Sequence, residues 1–225
     1  MSSQVAITVL LGPPGSGKGT QARQLCLAHP DWVHVSTGDL FRAEIASGSP
    51  LGKSVKEILA QGKLVSDEVT NEVFSSQVDS IVAKGQAKVL ILDGFPRTAA
   101  QSAFLDQYAH KKSFAEPLYV EFKIQEVSVI SRVADRLVNP RTGRVYHKVM
   151  NPPKVAGLCD DDGQPLVQRE DDKPDTIRSR FRLYESQLQG VLANVPASRK
   201  LSINAEGSPE EVRSRLEKTL LLGIR

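Results

Sequence analysis

Apolar residues along this chain occur in short runs that are separated by longer stretches with helical periodicity. The first run, Val5–Leu11, is continuously apolar or β-branched and is followed by glycine and proline, which is typical of a buried strand. Such strands, alternating with helices, favour a parallel sheet that is covered on both faces. The pattern therefore predicts an α/β protein, with strands at Val5–Leu11, Val33–Val35, Val89–Leu92, Leu118–Ile124 and Lys200–Ile203.

The C-terminal part of the chain carries a clear signal for the start of a helix. Ser208 can cap the helix, Pro209 suits its first position, and Glu211 completes a capping box. In this arrangement two backbone N–H groups that a helix start leaves without partners are satisfied by side chains. The sequence therefore predicts a helix that begins at Pro209.

A long helix is predicted before it, because apolar residues recur at steps of three and four at Ile177, Phe181, Tyr184 and Leu188. Arg180 falls on the edge of this apolar stripe, whereas Arg178 and Arg182 point away from it. An arginine at the rim of a buried face usually has an anionic partner. We therefore expect a negatively charged group against Arg180.

The segment between Asn139 and Lys173 has no helical period. It contains four prolines and three glycines, and only Arg144–Val149 alternates weakly, like a small strand. A stretch of about 35 residues without a helix is uncommon in an α/β domain and is more often a functional lid than a plain connection. We therefore expect a lid here, with a disordered surface insertion as the alternative.

Composition narrows the class of protein without identifying it. The chain has 225 residues, 40% hydrophobic and 24% charged, and its net charge of +3 is too small to imply a nucleic-acid partner. No apolar run approaches a membrane span, and the two cysteines, Cys26 and Cys159, suit a reducing compartment. The first predicted strand begins within about five residues of the start, so we expect no cleavable presequence. These features favour the cytoplasm, with the mitochondrion left open.

The run from Gly12 to Thr20, which reads GPPGSGKGT, predicts a phosphate-binding loop. It follows a strand and leads into a helix, which is the context that such a loop requires. Its glycines let backbone N–H groups approach phosphate oxygens, and Lys18 adds a positive charge near the β- and γ-phosphates. The consensus has Ser or Thr directly after the lysine, whereas here Gly19 precedes Thr20. A glycine-rich turn with a chance lysine is the less favoured alternative.

A second chemical signal is the apolar strand that ends in Asp93. Open α/β sheets bind ligands at the carboxyl ends of their strands, so this carboxylate would lie beside the phosphate loop. There it could orient Mg²⁺ through water, because Mg²⁺ loses its hydration shell reluctantly. Many strands end in Asp for turn reasons, but together with the loop Asp93 indicates phosphoryl transfer.

Arg132 and Arg136 are four residues apart on a predicted helix, so they would share one face. From the residues alone, an ordinary solvated basic face is the favoured interpretation of this pair. The apolar stripe expected on the opposite face consists of Val127, Ile130, Ala134 and Leu137.

Taken together, the motifs resemble the adenylate kinase family over nearly the whole chain. The resemblance implies a P-loop nucleoside monophosphate kinase fold, with a five-stranded parallel sheet flanked by helices, an AMP-binding insertion and a lid of the long form. It also implies reversible phosphoryl transfer from Mg-ATP to AMP. It rests on Gly12–Thr20, Ser36–Asp39 with Arg42, Gly62–Val65, Asp93–Arg97 with Gln101, Arg132, Arg136, Gly143–Tyr146, Asn151–Lys154, Arg169 and Arg180.

The resemblance implies roles for the residues that match. The catalytic set would be Lys18, Asp93, Arg97, Arg132, Arg136, Arg169 and Arg180. ATP would be bound by Gly15, Ser16, Gly17, Lys18, Gly19, Thr20, Arg132, Arg136, Val145, Tyr146 and Gly207. AMP would be bound by Thr37, Arg42, Lys63, Leu64, Val65, Gly94, Phe95, Pro96, Arg97, Gln101, Arg169 and Arg180, and Gln101 would read the adenine edge.

The expected chemistry needs charge neutralisation rather than a general base. The attacking AMP phosphate is largely ionised at neutral pH, so no side chain has to remove a proton from it. Lys18, Mg²⁺ and the arginines would stabilise the transition state, each central arginine by about 3–5 kcal/mol. We assign no catalytic role to His34 or His147 and expect His147 to be a hydrogen-bonding residue of the lid.

The lid departs from that of zinc-carrying relatives, which have paired ligands with two residues between partners and sixteen between pairs. The four positions here are Asn139, Thr142, Cys159 and Asp162. One thiol does not make a tetrahedral zinc site, so we expect no zinc and a lid stabilised by polar side chains. We expect Asp160–Asp162 to be a solvated turn, and Asp171 and Asp172 to be hinge or metal-proximal residues.

The expected domains are a core (1–35, 66–136 and 173–225), an AMP-binding segment (36–65) and a lid segment (137–172), the last two being mobile. The expected partners are ATP, AMP and ADP, with no nucleic acid and no membrane, and the expected state is a monomer. Two alternatives stay open. One is a GTP:AMP phosphotransferase, because Gln168–Pro174 is similar to that branch as well. The other is a non-catalytic adenine-nucleotide sensor.

Overall fold

The computed structural model describes residues 4–85 and 87–223, so the expectation about a presequence at the very start falls partly outside it. The strands are β1 (Ala6–Leu11), β2 (Trp32–Ser36), β3 (Val89–Asp93), β4 (Leu118–Lys123), β5 (Arg136–Val138), β6 (Val145–His147) and β7 (Lys200–Asn204). The helices are α1 (Lys18–Ala28), α2 (Thr37–Ser47), α3 (Pro50–Ala60), α4 (Asp67–Ala83), α5 (Ala99–Lys111), α6 (Glu126–Ala134), α7 (Pro174–Leu192) and α8 (Pro209–Gly223).

The main sheet has five strands in the order β2-β3-β1-β4-β7, and every neighbouring pair is parallel. The predicted fold class is therefore confirmed, and each predicted strand coincides with an observed one to within one residue at either end. Strand β1 lies in the middle, so the loop that follows it opens at the centre of the carboxyl edge. This edge is where open α/β sheets bind their ligands.

Successive residues of the central strands point into two different apolar layers. On one face, Val9 packs in a cluster that contains Phe74 of α4 and Leu105 of α5. On the other face, Leu10 packs with Leu25 of α1 and Leu216 of α8. Burying each such side chain stabilises the fold by roughly 1.5–3 kcal/mol, which explains why the central strands are apolar on both faces.

The start of α8 is formed as the capping box predicts. The backbone N–H of Ser208 donates to Oε2 of Glu211 at 2.8 Å, and the N–H of Glu211 donates to Oγ of Ser208 at 3.2 Å. Pro209 is the first helical residue.

Helix α6 corrects one prediction. It ends at Ala134, and Arg136 begins β5, so Arg132 and Arg136 do not share a helical face. The predicted apolar stripe is also wrong, because Val127 is 68% exposed whereas Val129 and Val133 are buried. These two valines pack against α7, and this tertiary contact selects a different face from the one that spacing suggested.

The lid segment contains no α-helix, in agreement with the sequence pattern; all of its backbone is described. Strands β5 and β6 pair antiparallel, so the weak alternation at Arg144–Val149 corresponds to a real strand at Val145–His147. A 3₁₀ turn at Glu170–Asp172 leads into α7. The expected domain boundaries stay predictions.

Asn139 is the centre of the polar network that stabilises the lid segment. Its Oδ1 accepts hydrogen bonds from the backbone N–H groups of Arg141 at 2.8 Å and Thr142 at 3.2 Å. Its Nδ2 donates to Asp162 Oδ1 at 2.8 Å. The expectation of polar bonding at these positions is confirmed.

The acidic run of the lid forms the turn that we expected, and Asp160 and Asp161 are exposed, but Asp162 is not solvated. The Asp162 side chain is only 12% exposed and pairs with Arg141 at 2.6 Å. Asp160 accepts a hydrogen bond from the backbone N–H of Lys154 at 2.8 Å. These carboxylates therefore connect separate parts of the lid segment. Sequence position could not reveal this, because the donors come from distant parts of the segment.

Among the helices of the described residues, none is both long enough and apolar enough to cross a membrane. No group of three or more His, Cys, Asp or Glu side chains within the same residues could hold a metal ion.

Candidate functional site

A cavity of about 320 Å³ lies at the carboxyl edge of the sheet, where β1 and β3 end. Its walls come from the phosphate loop, the AMP-binding segment, α7 and the lid segment. All the residues expected to bind ATP line it: Gly15, Ser16, Gly17, Lys18, Gly19, Thr20, Arg132, Arg136, Val145, Tyr146 and Gly207.

Most of the residues expected to bind AMP line the same cavity. These are Arg42, Lys63, Leu64, Gly94, Pro96, Arg97, Arg169 and Arg180, and Asp93 lines it as well. The remaining four, Thr37, Val65, Phe95 and Gln101, are buried behind the wall. The fold therefore brings residues from distant parts of the sequence into one site.

The phosphate loop presents backbone donors to the cavity. Helix α1 begins after Gly17, whose φ of 95° is left-handed, and no described side chain caps its first turn. Its first N–H groups and the positive end of the helix dipole are therefore available to an anion. Gly15 is required for packing, since a Cβ at its φ of +80° would lie 2.5 Å from Cγ2 of Val133.

Lys18 is held by the loop that it belongs to. Its ammonium group donates to the carbonyl oxygens of Gly12 at 2.7 Å and Pro13 at 2.9 Å, and to Oγ of Ser16 at 3.2 Å. Burial lowers the pKa of Lys18 to about 8, an effect that the nearby Asp93 carboxylate partly opposes. An anionic ligand in the loop would favour the charged form again.

Asp93 ends β3 next to this lysine. Burial alone would raise the pKa of its carboxyl group, but the neighbouring His34 imidazole and Lys18 ammonium outweigh burial and hold the pKa well below the usual range. Oδ2 of Asp93 lies 3.7 Å from Nε2 of His34. Asp93 is therefore ionised at neutral pH and presents hard oxygen ligands at the edge of the cavity.

Two aspartates hold two of the cavity arginines. Arg136 forms a two-pronged pair with Asp172, with its Nε 2.8 Å from Oδ2, and the Asp172 side chain is fully buried. Arg180 pairs with Asp171 at 2.5 Å. The expected anionic partner of Arg180 is thus confirmed. The expectation that Asp171 and Asp172 are hinge or metal-proximal residues stays a prediction; in this structure both carboxylates pair with guanidinium groups.

Two other arginines that we expected to bind AMP, Arg97 and Arg169, have no carboxylate partner in the part of the chain that the structure describes. Arg97 donates through Nε to the carbonyl of Gly94 at 2.7 Å, and Nε of Arg169 is buried without a hydrogen-bond partner among the described residues. Burial, together with repulsion from other arginines, lowers the pKa of Arg97 to about 10 and that of Arg169 to about 9. A bound polyanion would offset the repulsion between these positively charged side chains.

Arg42 of α2 has an internal partner, since it pairs with Asp39 at 2.5 Å, three residues earlier on the same helix. Sequence analysis missed the pairing of Asp39 with Arg42, although the spacing of three on a helix could have revealed it. Asp171 and Asp172 carried no such signal, because their partners lie on other elements.

Arg132 connects α6 to the loop before α8. One of its terminal nitrogens donates to the carbonyl of Gly207 at 3.0 Å. Gly207 has a φ of +97°, which strongly favours glycine, and a Cβ there would also displace the Glu211 carboxylate, whose Oε2 would lie 2.1 Å away. The loop that contains Gly207 therefore both leads into the capping box of α8 and forms part of the cavity wall.

The four buried residues that we expected to bind AMP support the cavity wall from behind. Thr37 donates through Oγ1 to the carbonyl of Gly94 at 2.7 Å. Phe95 stacks on Phe74 with ring centroids 4.2 Å apart, and Val65 belongs to the apolar cluster of α2 and α3. Oε1 of Gln101 accepts from the backbone N–H of Arg97 at 2.8 Å.

His147 has the hydrogen-bonding role that we expected. Its Nδ1 accepts from the backbone N–H groups of Val149 at 3.2 Å and Met150 at 3.1 Å. It therefore shapes the turn after β6.

Comparison with known proteins agrees with this geometry. A family model described as "Adenylate kinase" matches residues 10–198. Proteins named "Adenylate kinase" are similar to the chain: 39% identical in Anaeromyxobacter sp. strain Fw109-5, over 95% of this chain and 99% of the relative, and 36% in Pyrococcus furiosus, over 94% of each. A third, in Vanderwaltozyma polyspora, is 42% identical over 82% of this chain and 81% of the relative.

Proposed function

Because the chain belongs to the adenylate kinase family and is an AMP phosphotransferase, we propose that it reversibly transfers the terminal phosphoryl group of Mg-ATP to AMP and yields two ADP. The observation that supports this choice of reaction is that the residues proposed for both nucleotides meet in the same cavity. It combines the phosphate loop with five further arginines that suit phosphate binding, namely Arg42, Arg97, Arg136, Arg169 and Arg180. One nucleotide would not need two separate sets of phosphate ligands.

The donor occupies the side formed by the phosphate loop and the lid segment. Backbone N–H groups from Gly15 to Thr20 hold its phosphates, and Lys18 follows the transferred group. Arg132 and Arg136 approach the donor from α6 and β5, and Val145 and Tyr146 from β6. Gly207 offers backbone to the donor base.

The acceptor occupies the other side. Arg42 and Arg97 bind the AMP phosphate, and their planar guanidinium groups suit a two-pronged grip. Thr37, Lys63–Val65 and Gly94–Pro96 shape the rest of the acceptor wall, and Gln101 reads the adenine edge. Arg169 and Arg180 reach the phosphates that lie between the two substrates.

In the reaction, an oxygen of the AMP phosphate attacks the γ-phosphorus of ATP, and the bond from that phosphorus to the β–γ bridging oxygen breaks. ADP leaves as an anion and AMP becomes ADP, so no proton has to move to or from a side chain. The protein aligns the two phosphates and neutralises the charge of the transition state with Lys18, Arg97, Arg136, Arg169 and Arg180.

Asp93 fits the role of a magnesium residue. Its carboxylate is ionised, lies beside Lys18 at the strand end, and belongs to the ligand type that Mg²⁺ prefers. Asp93 would hold Mg²⁺ bound with ATP through water, and the ion would offset the negative charge of the phosphates. We expect no zinc in the lid segment, where hydrogen bonds around Asn139 link the positions that zinc ligands would need.

We further propose that the enzyme acts as a monomer in the cytoplasm. Initial rates of ADP formation with Mg²⁺, AMP and a panel of ATP, GTP, ITP and CTP test the function. A strong preference for ATP supports an adenylate kinase that uses ATP, whereas a preference for GTP makes the chain a GTP:AMP phosphotransferase.

A third outcome would overturn the catalytic proposal. Measurable nucleotide binding without transfer from any donor would indicate a non-catalytic adenine-nucleotide sensor. The presence of the phosphate loop, Asp93 and the arginines in one cavity argues against this, because a sensor has no need of a transfer apparatus.

A further inference from the structure

We propose that Asp67 is a positioning residue that selects the acceptor base by fixing the orientation of the Gln101 amide. The proposal rests on the function proposed above, in which Gln101 reads the adenine edge of AMP. Asp67 is the first residue of α4 and Gln101 lies in the first turn of α5, so the two helix starts meet at this contact.

The contact is well defined. Nε2 of Gln101 donates to Oδ1 of Asp67 at 2.7 Å, and Oε1 of Gln101 accepts from the backbone N–H of Arg97 at 2.8 Å. The hydroxyl group of Thr98 lies 3.0 Å from each carboxylate oxygen of Asp67. Gln101 is 1% exposed, so water does not compete for these bonds.

The two partners of Gln101 allow only one orientation of its amide. A carboxylate can only accept hydrogen bonds, and a backbone N–H can only donate. If the amide turned over, its oxygen would face the carboxylate and its NH₂ group would face the N–H of Arg97. Both hydrogen bonds would then be replaced by repulsive contacts, so Asp67 and Arg97 lock the amide from its two ends.

The locked amide has a second N–H on Nε2 and a second lone pair on Oε1 for the base. Gln101 lies behind the cavity wall in this structure, so the proposal requires that the wall in front of the amide opens when AMP binds. Adenine offers an acceptor at N1 and a donor at N6, which match this pattern. Hypoxanthine offers the reverse, a donor at N1 and an acceptor at O6. A site with a fixed pattern rejects such an analogue because buried polar groups would be left unpaired.

Asp67 is not needed to start either helix. The N-cap of α4 is Ser66, which accepts from the N–H of Val69, and the N-cap of α5 is Thr98, which accepts from the N–H of Gln101. The carboxylate caps neither helix itself, but it accepts from the hydroxyl of the α5 cap, Thr98, and from Nε2 of Gln101, so it holds both side chains in place.

The test compares AMP with IMP as acceptors at saturating Mg-ATP, in the full chain and in Asp67→Asn. An asparagine can donate as well as accept, so it releases one end of the lock at nearly constant volume. We expect the ratio of kcat/KM for IMP to that for AMP to rise about tenfold, through a higher KM for AMP and a kcat within about twofold of the original.

Asp79→Asn is the matched control. Asp79 is also on α4, and it also bonds α5, through the hydroxyl of Tyr108 at 2.6 Å and the ammonium of Lys112 at 2.6 Å. It does not line the cavity. This variant should lose stability without any change in the IMP to AMP ratio. An equal change in both variants would show that loosening of α4 against α5 is the cause, and would overturn the proposal.

A Gln101→Leu variant tests whether Gln101 reads the base, separately from whether Asp67 orients it. If it raises KM for AMP while Asp67→Asn leaves the ratio unchanged in a folded protein, only the role of Asp67 is wrong. If Gln101→Leu leaves KM for AMP unchanged, Gln101 does not read the base, and the proposed contact and the lock both fail.

Discussion

Arg136 has two tasks that a single substitution cannot separate, because it binds phosphate in the proposed reaction and neutralises Asp172 in the structure. The Asp172 side chain is fully buried, whereas Arg136 is 16% exposed and reaches the cavity. A buried carboxylate without its partner is strongly destabilising. When Arg136 is replaced, loss of structure alone is therefore enough to abolish activity.

A pair of variants distinguishes the two tasks. Arg136→Ala should lower the free energy of unfolding by about 3–5 kcal/mol, since it breaks a buried pair. It should also lower kcat by about two to four orders of magnitude, as expected for a residue that stabilises a phosphoryl-transfer transition state. Adding Asp172→Asn should restore most of the stability and none of the activity. Chemical denaturation and initial rates measure the two effects.

Arg178→Ala is the control for this experiment. Arg178 is on the exposed side of α7, where it pairs with Asp175 at 3.0 Å. Exposed pairs of this kind contribute about 0–1 kcal/mol, so both quantities should stay nearly unchanged. Near-normal turnover in the double variant of Arg136 and Asp172 would contradict the assignment of Arg136 to the transition state.

At the scale of the element, the buried amide of Asn139 is a central connection within the lid segment. Asn139 is 0% exposed, and its oxygen binds two backbone N–H groups while its nitrogen binds Asp162. A segment this small buries little apolar surface, so such hydrogen bonds determine whether it keeps its shape. The same position carries a metal ligand in zinc lids, and here an amide connects the surrounding parts of the segment by hydrogen bonds.

Asn139→Ala should therefore loosen the lid segment selectively. Losing the acceptor of buried N–H groups costs about 2 kcal/mol, so amide hydrogen exchange at Arg141 and Thr142 should become about 30 times faster. Exchange in β1 and β3 should stay unchanged. Gln164→Ala, at an exposed position of the same segment whose side chain makes no hydrogen bond with described residues, is the control. Equal exchange in both variants would show that Asn139 does not hold the segment.

At the scale of the molecule, arginines from distant parts of the chain meet in one cavity. Seven line it: Arg23, Arg42, Arg97, Arg132, Arg136, Arg169 and Arg180. Two phosphate groups brought between them would draw these parts together and exclude water, which protects an activated phosphoryl group from hydrolysis.

We therefore expect closure to depend on both substrates. Small-angle X-ray scattering should give a smaller radius of gyration with a bisubstrate analogue, in which polyphosphate joins two adenosines, than for the free protein. AMP alone should give an intermediate value, because it engages only the AMP-binding segment. Identical scattering in all three states would refute the proposal that the AMP-binding and lid segments move.

Several features of this protein could be predicted from its sequence because their signals are local and continuous. The strands, the phosphate loop, the capping box at Ser208 and the carboxylate of Asp93 all lie within short stretches, where the spacing of residues fixes the geometry. The resemblance of the motifs to those of the adenylate kinase family then identified the arginines that line the cavity. Even the need for an anionic partner at Arg180 followed from its place beside an apolar stripe.

Only the tertiary structure decided which groups meet. The pairing of Arg136 with Asp172, the role of Asp162 in the lid segment and the contact of Gln101 with Asp67 join residues that are 23 to 36 positions apart. The buried face of α6 was likewise chosen by α7 and not by its own periodicity. Local patterns determine elements because backbone geometry repeats, whereas the partners of a charge or an amide depend on how the whole chain packs.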